Sequence, residues 1–156
     1  MTTGETMTGT DIQRQRQGAM GVYARARGDE LLAALERIGR PDGAQDMRAP
    51  ELGLVMARAR IGGNGAPFNA GEVSVTRAAV RLPTGEVGLA YQLGRDREKA
   101  RAAALLDALW QTERRGEVEA ALDPIRARIA EDQSLKDRRA AATKVDFFTM
   151  VRGEDE

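Results

Sequence analysis

The chain has 156 residues, 42% of them apolar but only 4% aromatic, and 24 basic side chains balance 24 acidic ones. Cysteine and histidine are absent, which excludes thiol chemistry, disulfides, Cys/His zinc sites and histidine-based triads in this chain. Zero net charge supplies no global field toward nucleic acid or a membrane surface, and no metal-ligand spacing of carboxylates is present.

One domain of this length buries about 68–70% of its unfolded surface. With so few aromatics, alanine and aliphatic side chains must fill its core. Arginine outnumbers lysine 21 to 3. That bias suits bidentate anion contacts and interface ion pairs, although a GC-rich codon supply by itself produces it. No apolar run approaches the ~18 residues of a membrane span and the start has no signal-peptide core, so a cytoplasmic protein is expected.

Residues 1–10 are rich in Thr and Gly and read as disordered. A weak helical pattern begins at Asp11, with Ile12, Ala19, Met20 and Tyr23 as its buried side and Gly18 and Gly21 weakening it. Asp29 is the expected cap of a cleaner helix carrying Leu31, Leu32, Leu35 and Ile38, which Gly39-Arg40-Pro41 stops. A polar loop over 41–51 then leads to a strand over 52–61, where Leu52, Leu54 and Met56 alternate with Gly53 and Val55. Gly62, Gly63 and Gly65 follow. They form either a backbone N–H concavity for an anion or a plain connection; no GK[ST] follows to make a Walker motif.

The stretch 69–111 organises the remainder. Val73, Val75, Thr76, Val80 and Leu82 form a strand whose apolar phase changes at residues 76–79, as a bulge would require. That places Arg77 at an irregularity. Pro83-Thr84-Gly85 turns the chain, and a half-buried strand follows with Val87, Leu89, Tyr91 and Leu93 on the face expected to meet the core. Asp96 caps the next helix, with Leu105, Leu106, Leu109 and Trp110 at helical spacing. This helix is expected to lie across that apolar face.

Beyond Gln111 and Gly116, Val118, Ala121 and Leu122 make a short helical face, and Asp123-Pro124 reads as a fresh helix start. Ile125 and Ile129 continue it. Residues 130–142 are thinly apolar and predict an exposed helix or an arm. Two of the three phenylalanines stand in the last segment. Phe147, Phe148, Met150 and Val151 therefore predict a closing strand or an anchor in another subunit.

TRAAVRL (76–82), GRD (94–96), DAL (107–109) and VDFFTMVRG (145–153), with ARIGGNG (59–65) and NAGE (69–72), resemble in order and spacing the PhnG family, the small G subunit of the bacterial carbon–phosphorus lyase system. The pattern spans residues 17–153 as one domain, leaving 1–16 as a disordered extension and 154–156 as an acidic tail. The resemblance implies a core complex with H, I and J subunits. It also implies a transient partnership with an ATP-binding-cassette-like L subunit. With H, I and L, the G subunit would join an alkylphosphonate to ribose C1 of ATP with release of adenine. ATP would be a substrate of the complex, and an iron–sulfur cluster and S-adenosylmethionine would belong to the J subunit. The family supplies no catalytic residue to this chain.

The fold expected is α+β: an antiparallel sheet of three to four strands, helices on one face, and flanking N- and C-terminal helices. Arg77, Arg81 and Arg95 are the candidate phosphate contacts, while Asp96 and Asp146 suit caps or ion pairs equally well. Two rival readings remain open. A stand-alone enzyme would use Asp96 as base beside the glycine loop. A nucleic-acid module would use Arg14, Arg16, Arg25 and Arg27, against the charge balance and with no reading motif to support it.

Overall fold

The structure, a computed structural model, describes residues 9–143. Within them the order is α1 (Gly9–Arg25), α2 (Gly28–Ile38), β1 (Gln45–Arg60), β2 (Pro67–Arg81), β3 (Val87–Leu93), α3 (Arg97–Trp110) and α4 (Arg115–Ala142). The three strands form one antiparallel sheet in the order β1-β2-β3. With helices gathered against one side of it, this is the expected α+β fold. The segment 145–153, with Phe147, Phe148, Met150 and Val151, lies outside the described residues.

Helix α3 is the centre of the molecule. Asp96 caps it as expected, its carboxylate accepting from the Lys99 amide at 2.9 Å. Ala100 and every residue from 102 to 110 are buried, so the helix is enclosed on all sides over this stretch, as an internal helix must be. It packs on β2 and β3 with one side and on α1, α2 and α4 with the others. Trp110 closes its end, 1% exposed, under the Arg115 guanidinium 4.2 Å from the ring centroid.

The face of β3 that meets α3 is the opposite of the one expected. Gly88, Ala90 and Gln92 point to the helix, while Leu89, Tyr91 and Leu93 point away and are 43%, 61% and 71% exposed. The reason is spacing. A Cβ on Gly88 would stand 1.9 Å from the Ala104 carbonyl oxygen and 2.5 Å from the Ala108 nitrogen. An alanine-rich helix lies this close to a sheet only over glycine and alanine. The period of two holds, but size rather than hydrophobicity chooses the side.

Four further boundaries differ from expectation. Helix α1 starts at Gly9, so residues 9–16 are helical rather than part of a disordered extension; Arg16 anchors them, as described below. Helix α2 begins at Gly28, one residue before the expected cap, because Glu30 reaches back to accept from the Arg27 amide at 2.8 Å. Strand β1 begins at Gln45 rather than 52 and runs through Pro50, which an edge strand tolerates. Helix α4 is continuous through Pro124. Proline there leaves the Ala120 carbonyl without its helical donor, and Arg37 of α2 donates to that oxygen at 3.3 Å.

The irregularity expected at residues 76–79 is present but sits in the neighbouring strand. β2 pairs with β3 without a break from Val75 to Arg81. Two register shifts fall in β1, between Asp46, Arg48 and Glu51, opposite Arg77 to Val80; a third, between Ala57 and Arg58, lies opposite Gly71 and Asn69.

Candidate functional site

Sequence reasoning nominates Arg77, Arg81 and Arg95 together with the glycine loop, and the sheet strings these out along its length. Arg81 pairs across from Val87 at one end of β3. Arg95 follows Gly94, whose amide donates to the Ser74 carbonyl at the other end. Six residues of strand at about 3.4 Å each put these ends about 20 Å apart. Gly62, Gly63 and Gly65 lie farther still, in the turn closing β1 and β2. There the Gly65 amide donates to the Ile61 carbonyl at 2.8 Å and Arg60 donates to the Gly65 carbonyl at 3.1 Å. Gly62 and Gly63 take φ of 59° and 81°, so the turn itself requires them.

Arg77 stands on the outer sheet face, beside a shallow cleft of about 300 Å³ lined by Met47, Arg48, Leu89 and Tyr91. Its guanidinium donates to Glu51 at 2.7 Å. Arg48 binds the same carboxylate. The hydrogen bond from Arg48, with the Arg77 charge beside it, holds the Glu51 carboxyl below the usual range. Arg77 thus serves an ion pair first. Arg81 and Arg95 have no carboxylate partner among the described residues.

Asp96 is occupied as the cap of α3 and lies at the Gly94 end of the sheet, about 24 Å of ribbon from the glycine turn. The base and anion loop of a stand-alone enzyme therefore do not converge. The arginines of the nucleic-acid reading are likewise engaged. Arg14 meets Asp11, Arg27 meets Glu30, and Arg25 turns back to the Gly21 carbonyl. Among the described residues no three His, Cys, Asp or Glu side chains are grouped to hold a metal. None of the described helices is long and apolar enough to cross a membrane.

Sequence reasoning missed one cluster. Asp107, fully buried in α3, receives Arg16 of α1 in a two-pronged contact, Nε to Oδ1 at 2.9 Å and Nη2 to Oδ2 at 2.7 Å. The same carboxylate accepts from the Leu89 amide at 2.9 Å. Gln111 donates to the Val87 carbonyl at 2.7 Å. These side chains satisfy the backbone groups on the free edge of β3 and tie α1, α3 and the sheet together. An aspartate among Leu105, Leu106, Ala108 and Leu109 is a signal available in the sequence, since a carboxylate in such surroundings needs a charged partner.

Comparison with known proteins shows the family of the chain. The family model described as "Phosphonate metabolism protein PhnG" matches residues 14–153, beginning early enough to include Arg16. A curated protein of Rhizobium meliloti (strain 1021), the alpha-D-ribose 1-methylphosphonate 5-triphosphate synthase subunit PhnG, is 49% identical over 142 residues, covering 90% of this chain and 91% of its own length. On a match of that extent, the chain belongs to the PhnG family of phosphonate metabolism proteins.

Proposed function

We propose that this chain is a non-catalytic subunit of a ribose 1-methylphosphonate 5-triphosphate synthase, needed for the transfer of alkylphosphonate to ribose C1 of ATP with release of adenine. The observation that carries the reading is the near full-length, 49% identity to a subunit of that synthase. Its partners are the H, I and J subunits, with an ATP-binding-cassette-like subunit joining transiently, in the cytoplasm. ATP is then a substrate of the assembly. The iron–sulfur cluster and S-adenosylmethionine belong to a partner, in keeping with a chain that has no cysteine.

The physical contribution of this chain is positional. Its polar side chains are spent on holding elements together, as Arg16–Asp107, Arg77–Glu51 and Arg128–Glu30 show. Of the three candidate arginines, Arg81 and Arg95 are the two left for an anion delivered in the assembled complex. Co-expression of a tagged chain with the H, I and J subunits tests the reading by size-exclusion chromatography. One large co-eluting species is expected. A monodisperse lone chain that ignores all three would overturn it.

A further inference from the structure

The pairing of β1 with β2 outlasts the sheet. β3 covers β2 only from Val75 to Arg81, whereas β1 and β2 stay paired from Leu54 with Ser74 out to Arg60 with Pro67. Past Gly53 the two strands continue as a ribbon with no third strand, projecting about 20 Å at about 3.4 Å per residue. A two-stranded ribbon by itself is at best marginally stable in water. This one also carries exposed apolar side chains on both sides, although Leu54 and Met56 stand opposite Ser74 and Glu72. Leu54 and Met56 share one face, 62% and 52% exposed; Val55 and Val73 share the other, 40% and 36% exposed; Ile61 and Phe68 stand toward the tip, 71% and 45% exposed. Exposed apolar side chains on a protruding ribbon with no third strand to support it point to an interface.

Area decides what covers it. Two strands about 4.8 Å apart present about 200 Å² per face over this length, against about 800 Å² per partner in a stable interface. A second copy laid on one face would supply a quarter of that and leave the other apolar face in water. Enclosing both faces, the free edge of β1 and the tip together approaches the requirement. Charge adds direction. Arg58 and Arg60 continue the row of Leu54 and Met56 along β1, and neither forms an ion pair among the described residues.

We propose that the ribbon over residues 54–74 is a plug that inserts into a groove of a different subunit of the same assembly, its two walls apolar and carboxylates lining the depth where Arg58 and Arg60 arrive. The proposal rests on the subunit reading above and names the surface that reading needs.

The test uses the full tagged chain co-expressed with the H, I and J subunits. Three paired variants are compared with the parent: Leu54→Asp with Met56→Asp, Val55→Asp with Val73→Asp, and Arg58→Glu with Arg60→Glu. Each pair is expected to lower the captured subunits at least tenfold. The free chain should keep its helical circular dichroism and its melting temperature within about 2 °C, because these side chains are already in water. Independently of any variant, hydrogen exchange of the parent at residues 54–60 and 67–73 should slow at least tenfold on assembly. Undiminished capture by the variants, or unchanged exchange, would overturn the plug while leaving the subunit reading intact. Loss from only one apolar face would replace the enclosing groove by a flat contact and overturn it too. Self-association of the parent abolished by the variants would assign the ribbon to a second copy. A parent that captures none of the subunits would fail both readings together.

Discussion

Replacing Gly88 by alanine probes the contact on which the whole fold is built. In a strand facing solvent, Gly→Ala stabilises by about 0.4–1 kcal/mol through the unfolded chain. Here the added Cβ would meet the Ala104 carbonyl oxygen at 1.9 Å, the Ala108 nitrogen at 2.5 Å and the Ala108 Cβ at 2.8 Å. Two of these obstacles are backbone atoms, which cannot rotate aside, so α3 must lift by about 1 Å. A gap of that size forfeits a quarter to a half of each dispersion contact it opens. Overpacking of this kind costs about 1–3 kcal/mol, and rigid backbone neighbours place Gly88→Ala at the upper end. At 2–4 °C per kcal/mol for a chain of this size, about 3 kcal/mol lowers the melting temperature by about 6–12 °C. Urea unfolding followed by tryptophan fluorescence reads the change directly, since Trp110 lies at the end of the same helix. An unchanged or raised unfolding free energy would refute the packing of α3 on this face.

Three more expectations follow from named contacts. Asp107→Ala leaves the Leu89 amide unpaired and frees Arg16; because Arg16 retains 29% exposure and can rehydrate, the loss should be about 2–3 kcal/mol, checked by chemical denaturation. Burial raises the Glu30 carboxyl, but hydrogen bonds from Arg128 and the Arg27 amide outweigh it and leave the group below its usual range. A depressed folded-state value gives stability that is present above about pH 4.5 and lost as pH falls through the folded value. Glu30→Gln should therefore cost about 1–2 kcal/mol at pH 7 and progressively less as pH falls below about 4.5, so a pH-independent difference in urea midpoints would contradict the ion pair. Tyr23 is buried with its hydroxyl lacking a protein partner among the described residues, and burial pushes the phenol upward. Tyr23→Phe should be neutral or stabilising within about 0.5 kcal/mol; a loss above 1 kcal/mol in the same assay would reveal a partner for the hydroxyl.

Much of the architecture was legible because local signals were strong. Asp96 before an apolar helical repeat, Gly39-Arg40-Pro41 after another, and strict alternation over residues 87–93 each name an element by spacing alone. What spacing does not carry is which face wins. Leu89, Tyr91 and Leu93 outscore Gly88, Ala90 and Gln92 on hydrophobicity, yet the approach distance of α3 admits only the small set. Long-range compensation was hidden for the same reason. Pro124 reads as a helix start because Arg37, 87 positions earlier, cannot be seen to serve the Ala120 carbonyl. Pro50 reads as loop because nothing local says that β1 is an edge. The candidate arginines were identified by residue type. Only the register shows Arg77 facing Glu51 and separates Arg81 from Arg95.

The proposed subunit is required for phosphonate transfer without performing it. The most direct measurement is adenine release from ATP and methylphosphonate by the H, I and L subunits, with and without this chain, alongside the chain alone. Release is expected only when the chain is added to the other subunits, and none from the chain by itself. Release at the full rate without it, or by the isolated chain, would overturn the proposed role.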